Sequence, residues 1–288
     1  MGKKVVVIAF DGLDKELVDK FDLENVSQEE NGGIDNHTNV KGIKTNELFA
    51  SFITGKSYEE HGIGNMTKYV NEVKGKFIDL ISIKPLRNKV RGFHRLYRVL
   101  RKVFDAKRIY YGKEDLEIET IFEKIENSQA MFVPSYNPSI FWVSCSWSNP
   151  IEYGYPPIKA IDLWKTREHS FRRKSLFSEI GSEIISPRDF LMCHFHRPDI
   201  EQHIYLKPYN EDGEKLFKAY KELDELAGEI KDKALEAGYD TVIFMSDHGL
   251  PAEGGHNENA FYSCNHELFG EENPHITDFH DKILELTK

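Results

Sequence analysis

Five short apolar runs, rich in β-branched residues, recur along the chain: Val5–Phe10, Met131–Pro134, Ile140–Cys145, Phe190–Phe195 and Thr241–Met245. Longer segments of helical pattern separate them. The clearest is "EKLFKAYKELDELAGEIKDKALEAGY", in which Leu216, Tyr220, Leu223, Leu226, Ile230 and Leu235 recur every three to four residues and Gly238 supplies the stop. Strands alternating with helices predict an α/β domain built on a mainly parallel sheet. In such sheets ligands gather beyond the carboxyl ends of the strands. The 288 residues suffice for one large domain with a core of its own, and neither a repeat nor a linker divides them.

Those carboxyl ends are where the sequence places its metal-binding side chains. The first run ends in Asp11 ("VVVIAFDG") and the last in Asp247 and His248 ("VIFMSDHG"), with His256 following after a glycine-rich stretch. The run at 190–195 leads through Pro198 to Asp199, with His203 four residues later; a helix starting after the proline sets this pair one turn apart on one face, a chelating arrangement. Taken singly, an Asp-Gly or Asp-His pair at a strand end is a turn or a cap. The argument rests on three strand ends converging. His194 and His196 are nearby competitors that alternating strand geometry and packing explain equally well.

A fourth segment, "KTNELFASFITGKSYEEHGIGN", reads as a short helix with Leu48, Phe49, Phe52 and Ile53 on one apolar face, Gly55 at its end and Thr45 at its N-cap. A hydroxyl there lies in the positive end of the helix dipole, beside free N–H groups that favour an alkoxide or a phosphoryl oxygen.

Taken in order, "VVVIAFDG", the Thr45 helix with "TGKSYEEHGIGN", "DIEQH", "MSDHG" and a later histidine followed by "NAFYS" resemble the alkaline phosphatase superfamily, and within it the type I phosphodiesterase/nucleotide pyrophosphatase family. Both ends of the chain carry the resemblance; residues 66–185 match poorly. The resemblance implies an alkaline-phosphatase-like three-layer sandwich around a mainly parallel central sheet, as a single catalytic domain over 1–288. It implies two divalent metals, one held by Asp11, Thr45, Asp247 and His248 and the other by Asp199, His203 and His256. Thr45 is then the nucleophile, passing through a phospho-threonine, and Asn65 the donor to a non-bridging phosphate oxygen. Two cations about 4 Å apart serve an in-line displacement. Mixed carboxylate and imidazole ligands suit zinc first and manganese second.

The substrate expected is a small phosphorylated molecule, and a phosphodiester or pyrophosphate before a monoester. The superfamily's monoesterases carry an arginine after the nucleophile, whereas Asn46 and Glu47 stand here. The alternatives are a phosphomonoesterase on the same site and a non-catalytic metal-containing protein that binds polyanions. A sulfatase is disfavoured because its C/S-x-P-x-R motif is missing at Thr45.

The net charge of −10 offers no global attraction to nucleic acid or acidic membranes. Against it stands one basic run, "KPLRNKVRGFHRLYRVLRKVFDAKRIYYGK", read as a helical insert at about 84–125 with Phe93, Leu96, Tyr97, Leu100 and Phe104 on one face and Arg91, Arg95, Arg98 and Arg101 on the rest. It is either a solvated helix over the core or a docking surface for a polyanion or lipid headgroup. No run reaches the ~20 apolar residues of a membrane span, and no signal-peptide core is present. Three dispersed cysteines, Cys145, Cys193 and Cys264, form no CxxC pair. The expected setting is a reducing, cytoplasmic one.

Overall fold

A computed structural model describes residues 2–37, 43–65, 67–71, 108–138, 169–181, 186–206, 213–252 and 255–288. At its centre lies a six-stranded sheet in the order β2 (Glu30–Gly33), β10 (Phe261–Cys264), β7 (Thr241–Met245), β1 (Val5–Phe10), β6 (Phe190–Phe195) and β5 (Ser128–Met131). The pairs β7–β1, β1–β6 and β6–β5 are parallel; β10 runs antiparallel to both β7 and β2.

Strand β1 shows why this chain makes a three-layer fold. All six of its residues are buried, so both of its faces must be covered. Val6, Ile8 and Phe10 join one core cluster with α7 (Gly213–Glu236), through Tyr220, Leu223 and Ile230, and with α5 (Ser170–Ile180), through Leu176 and Ile180. Val5, Val7 and Ala9 face the other way, onto Leu48, Phe49, Phe52 and Ile53 of α2 (Thr45–Thr54) and onto Phe279 and Ile283 of α8 (Asp278–Leu286). Each such side chain contributes about 1.5–3 kcal/mol on burial. Ile8→Ala in the middle of the strand should cost about 2–5 kcal/mol.

Several sequence expectations are refined. The run expected at Met131–Pro134 is a strand three residues earlier, at Ser128–Met131, because pairing with β6 sets Met131 opposite Cys193 and the chain then turns through Phe132 and Ser135, both at positive φ. Strands β2 and β10 were not expected, and they supply the antiparallel edge. Helix α7 buries Leu216, Tyr220, Leu223, Leu226 and Ile230 as expected, but Leu235 is 40% exposed and its neighbour Ala234 takes the buried position four residues after Ile230. Every residue of α2 is buried, not one face alone. The run Ile140–Cys145 and the patterned part of the basic insert, through Phe104, lie outside the described residues. The described end of that insert holds β4 (Arg108–Tyr110), paired with β3 (Thr67–Tyr69), a 3-10 turn, and the short helix α4 (Ile121–Lys124). Cys193 and Cys264 are buried free thiols. Among the described residues no helix is long and apolar enough to cross a membrane.

Candidate metal centre

Parallel register brings three chain ends together. Phe10 pairs with Phe195 and Ala9 with Met245, so the residues just past each strand, Asp11, His196 and Asp247, emerge at one edge of the sheet. Backbone bonds lock the junctions: Asp11 N donates to Phe195 O (2.9 Å) and Asp199 N to Asp11 O (3.0 Å). The helix expected after Pro198 is α6 (Asp199–Tyr205), and it places Asp199 and His203 one turn apart.

Two groups result. In the first, His248 Nε2 lies 3.1 Å from Asp11 Oδ1, 3.4 Å from Asp247 Oδ2 and 3.3 Å from Thr45 Oγ1. In the second, Asp199 Oδ1 is 3.2 Å from His203 Nε2 and 3.3 Å from His256 Nε2, and the two ring nitrogens are 3.1 Å apart. Ligand atoms of Asp11, Asp199 and His248 also lie within 4.8 Å of one another, so Asp199 belongs to both groups. The imidazoles of His248 and His256 stack across the junction at 3.7 Å with 10° between planes. Six expected ligands and the expected nucleophile therefore converge: Asp11, Asp199, His203, Asp247, His248, His256 and Thr45.

Thr45 differs from expectation in one respect. Lys44 occupies the cap position and Thr45 is the first helical residue, so its hydroxyl faces His248 instead of capping the helix. Lys44 Nζ donates to Gly64 O (2.6 Å) and to Asn65 Oδ1 (3.1 Å), which ties Asn65, itself exposed, to the residue preceding Thr45. His194 and His196, left open by the sequence, both reach the site: their Nε2 atoms lie 3.4 and 3.3 Å from Asp11 Oδ2.

The loop bearing His256 is anchored by Asp14. One Asp14 oxygen caps α1 (Lys15–Phe21) through Leu17 N at 3.1 Å; the other accepts from Leu250 N and Asn257 Nδ2, both at 3.2 Å. Asn257, directly after His256, completes the clamp through backbone bonds with Leu250 and Gly249.

The electrostatics are those of tightly coupled, buried carboxylates and imidazoles. Burial raises the Asp11 carboxyl, yet the facing His194 and His248 more than offset it and leave it well below the ordinary value. Burial pushes Asp247 up to about 7 against the opposing charge of His248. Burial would lower His248, but Asp247 and Asp11 hold it up to about 10. His194 falls to about 4, chiefly by burial. Asp11 Oδ1 and Oδ2, Asp199 Oδ1 and Asp247 Oδ2 are buried with ion-pair approaches to imidazoles but no well-formed hydrogen bond, an arrangement costly in an apolar interior unless a cation completes it. With carboxylate oxygens and imidazole nitrogens in both groups, the donor set is one that could hold divalent metal ions.

No curated protein matches the chain by sequence. Among solved structures it is similar to murine ectonucleotide pyrophosphatase/phosphodiesterase 5 at 16% identity, with a TM-score of 0.49, covering 86% of this chain and 57% of that one. The inactive threonine-to-alanine form of that murine protein, in complex with AMP, is similar at 15% identity, a TM-score of 0.49 and the same coverage. The chain thus spans less than two thirds of those structures. Residues 5–262 match the family described as type I phosphodiesterase / nucleotide pyrophosphatase, and the chain belongs to that family.

Proposed function

We propose that the protein is a two-metal phosphoesterase that hydrolyses phosphodiester or pyrophosphate bonds of a small phosphorylated substrate through a phospho-threonine at Thr45. The observation that carries this reading is the placement of the Thr45 hydroxyl, at the first turn of a wholly buried helix, 3.3 Å from His248 within the acid–imidazole cluster. A protein that merely bound polyanions would have no use for a hydroxyl there.

Asp11, Thr45, Asp247 and His248 would hold one cation, and Asp199, His203 and His256 the other. When bound, such cations lower the pKa of a coordinated hydroxyl and offset charge on the attacking and leaving oxygens. The chain supplies the rest. The N-terminus of α2 directs backbone N–H groups toward an incoming phosphoryl oxygen. Because Asn65 Oδ1 accepts from Lys44, its Nδ2 is left to donate to one non-bridging oxygen. The Thr45 hydroxyl loses its proton to solvent as its oxygen attacks phosphorus, and the alkoxide of a diester, or the phosphate of a pyrophosphate, departs on the opposite side, leaving the rest of the substrate esterified on the phospho-threonine. Water then attacks the phospho-threonine, restoring the hydroxyl.

Acid quenching during turnover of bis-p-nitrophenyl phosphate, followed by peptide mass spectrometry, tests the proposal. Modification by the transferred phosphoryl group on the peptide containing Thr45, absent from Thr45→Ala, is expected. Full turnover with no modified peptide, together with an active Thr45→Ala, would show direct attack by water and defeat the threonine mechanism.

A further inference from the structure

We infer that Arg172 is a positioning residue for the proposed metal centre: it fixes the tautomer of His194 and turns the ring N–H toward Asp11, so that this imidazole is not a competing metal ligand. The effect on metal binding rests on the proposed ligand role of Asp11; the tautomer does not.

Arg172 lies on α5 and is 1% exposed, one of the largest fully buried side chains described. A guanidinium cannot shed its proton, so at such depth it has to be committed to acceptors. Its Nη1 donates to His194 O at 2.6 Å and lies 3.0 Å from His194 Nδ1. Arginine has donors only, so Nδ1 must be the accepting, unprotonated nitrogen and the ring proton must sit on Nε2. That Nε2 faces Asp11 Oδ2 at 3.4 Å, a charge–dipole approach of an N–H to a carboxylate and not a formed hydrogen bond. Packing holds both partners in place. Phe49 of α2 meets the His194 ring edge-on at 5.0 Å and 86°, and the guanidinium lies 5.1 Å from the centre of the Phe132 ring.

The consequence is a division of labour between the two oxygens of Asp11. Oδ2 faces the His194 N–H, while Oδ1 faces His248 in the first metal group. A nitrogen that carries a proton has no lone pair for a cation, so His194 is removed from the ligand set although it touches a ligand. An N–H set behind a carboxylate in this way biases the carboxylate's orientation, and loss of such an outer partner costs about 10- to 100-fold in metal affinity.

The experiment uses the full chain labelled with 15N-histidine, stripped of metal, and reads ring nitrogens by long-range 15N–1H correlation at neutral pH, with His194→Gln to assign the signals. Wild type should show His194 protonated at Nε2 alone. Arg172→Met should mix the tautomers and weaken zinc binding by about 10- to 100-fold, with Arg172→Lys, which keeps a donor, falling between. A His194 proton on Nδ1 in wild type, or the same tautomer and zinc affinity in Arg172→Met, overturns the inference. Should Arg172→Met not fold, the wild-type spectrum decides. An Nε2-protonated His194 in a chain that binds no zinc would support the inference and sink the proposed function; a zinc-binding chain with the proton on Nδ1 would do the reverse.

Discussion

The two halves of the proposed metal centre are made of the same residue types but hung on different scaffolds. Asp11, Asp247 and His248 follow directly from the central strands β1 and β7, and all are at most 1% exposed. His203 projects from the short helix α6 with its side chain 50% exposed, and His256 from the two-residue strand β9 (Gly255–His256), 16% exposed. In the first half, ligand spacing is set by a sheet register that cannot slip without turning the core inside out. In the second it depends on one helical turn and the Asp14–Asn257 clamp. The lesson is that a site can join a rigid, desolvated half to a more accessible one, with the proposed nucleophile, Thr45, on the rigid side.

The largest effect expected of that division is at Thr45. Thr45→Ala should lower kcat by about 10³-fold or more while leaving both metals bound, and Thr45→Ser should keep part of the activity. If Thr45→Ala lost the metals as well, the hydroxyl would be a structural member of the rigid half and the separation of roles would break.

Metal binding probes the asymmetry itself. Two divalent cations per chain are expected by elemental analysis. His203→Ala should release one, with an affinity loss of about 10- to 100-fold, whereas Asp247→Ala should empty the buried half and abolish turnover. A chelator should remove the His203 side first. Apparent affinity should rise with pH through neutrality, because His248, held up to about 10, must release its proton for a cation to bind. Equal release rates for both cations would erase the distinction.

Substrate charge is a smaller lever. No guanidinium follows Thr45, and the Lys44 ammonium is engaged by Gly64 and Asn65. The ratio of kcat/KM for bis-p-nitrophenyl phosphate to that for p-nitrophenyl phosphate, at one metal and one pH, should therefore exceed one. A ratio well below one would transfer the enzyme to the monoesterases.

The smallest effect concerns what supports the rigid half. His61, at the end of α3 (Tyr58–His61), accepts from Ile63 N at 3.1 Å and meets Ser51 Oγ of α2 at 3.0 Å. Burial lowers it from 6.5 to about 4. As pH falls between those values the unfolded chain takes up a proton that the folded chain refuses, so this contribution to stability is present above pH 6.5 and shrinks toward pH 4. The drop in melting temperature from pH 7 to 4.5 should be less steep in His61→Gln, by an amount on the order of a few degrees. Identical slopes would mean that His61 does not support α2.

Legibility in the sequence followed burial and period. β1, β6 and β7 were readable because strands covered on both faces are apolar throughout. β2, with the sequence "ENGG", was not, because it is held from outside: Glu30 accepts from the N–H groups of Leu268, Phe269 and Gly270 and from the Tyr262 hydroxyl. The convergence of the candidate ligands was readable because strand ends in an α/β sheet point to one place. Their supporting residues were not. Nothing in "SFRRKSLFSEI" distinguishes buried Arg172 from Arg173, which pairs with Glu229 at the surface. His194 and His196 stood on the page as imidazoles, but their approach to Asp11 needs the β1–β6 register, which no local pattern encodes.

Asp199, proposed to hold the second cation, also lies within 4.8 Å of the ligand atoms of Asp11 and His248, and a carboxylate placed between the two groups would make their occupancies one linked equilibrium. A cation on either side would repel its neighbour across that carboxylate. By reciprocity, each weakens the other by the same factor. The protein would then respond to metal supply in two stages, with a half-filled form persisting over a range of free cation. Its activity would register how much metal is available as well as how much substrate.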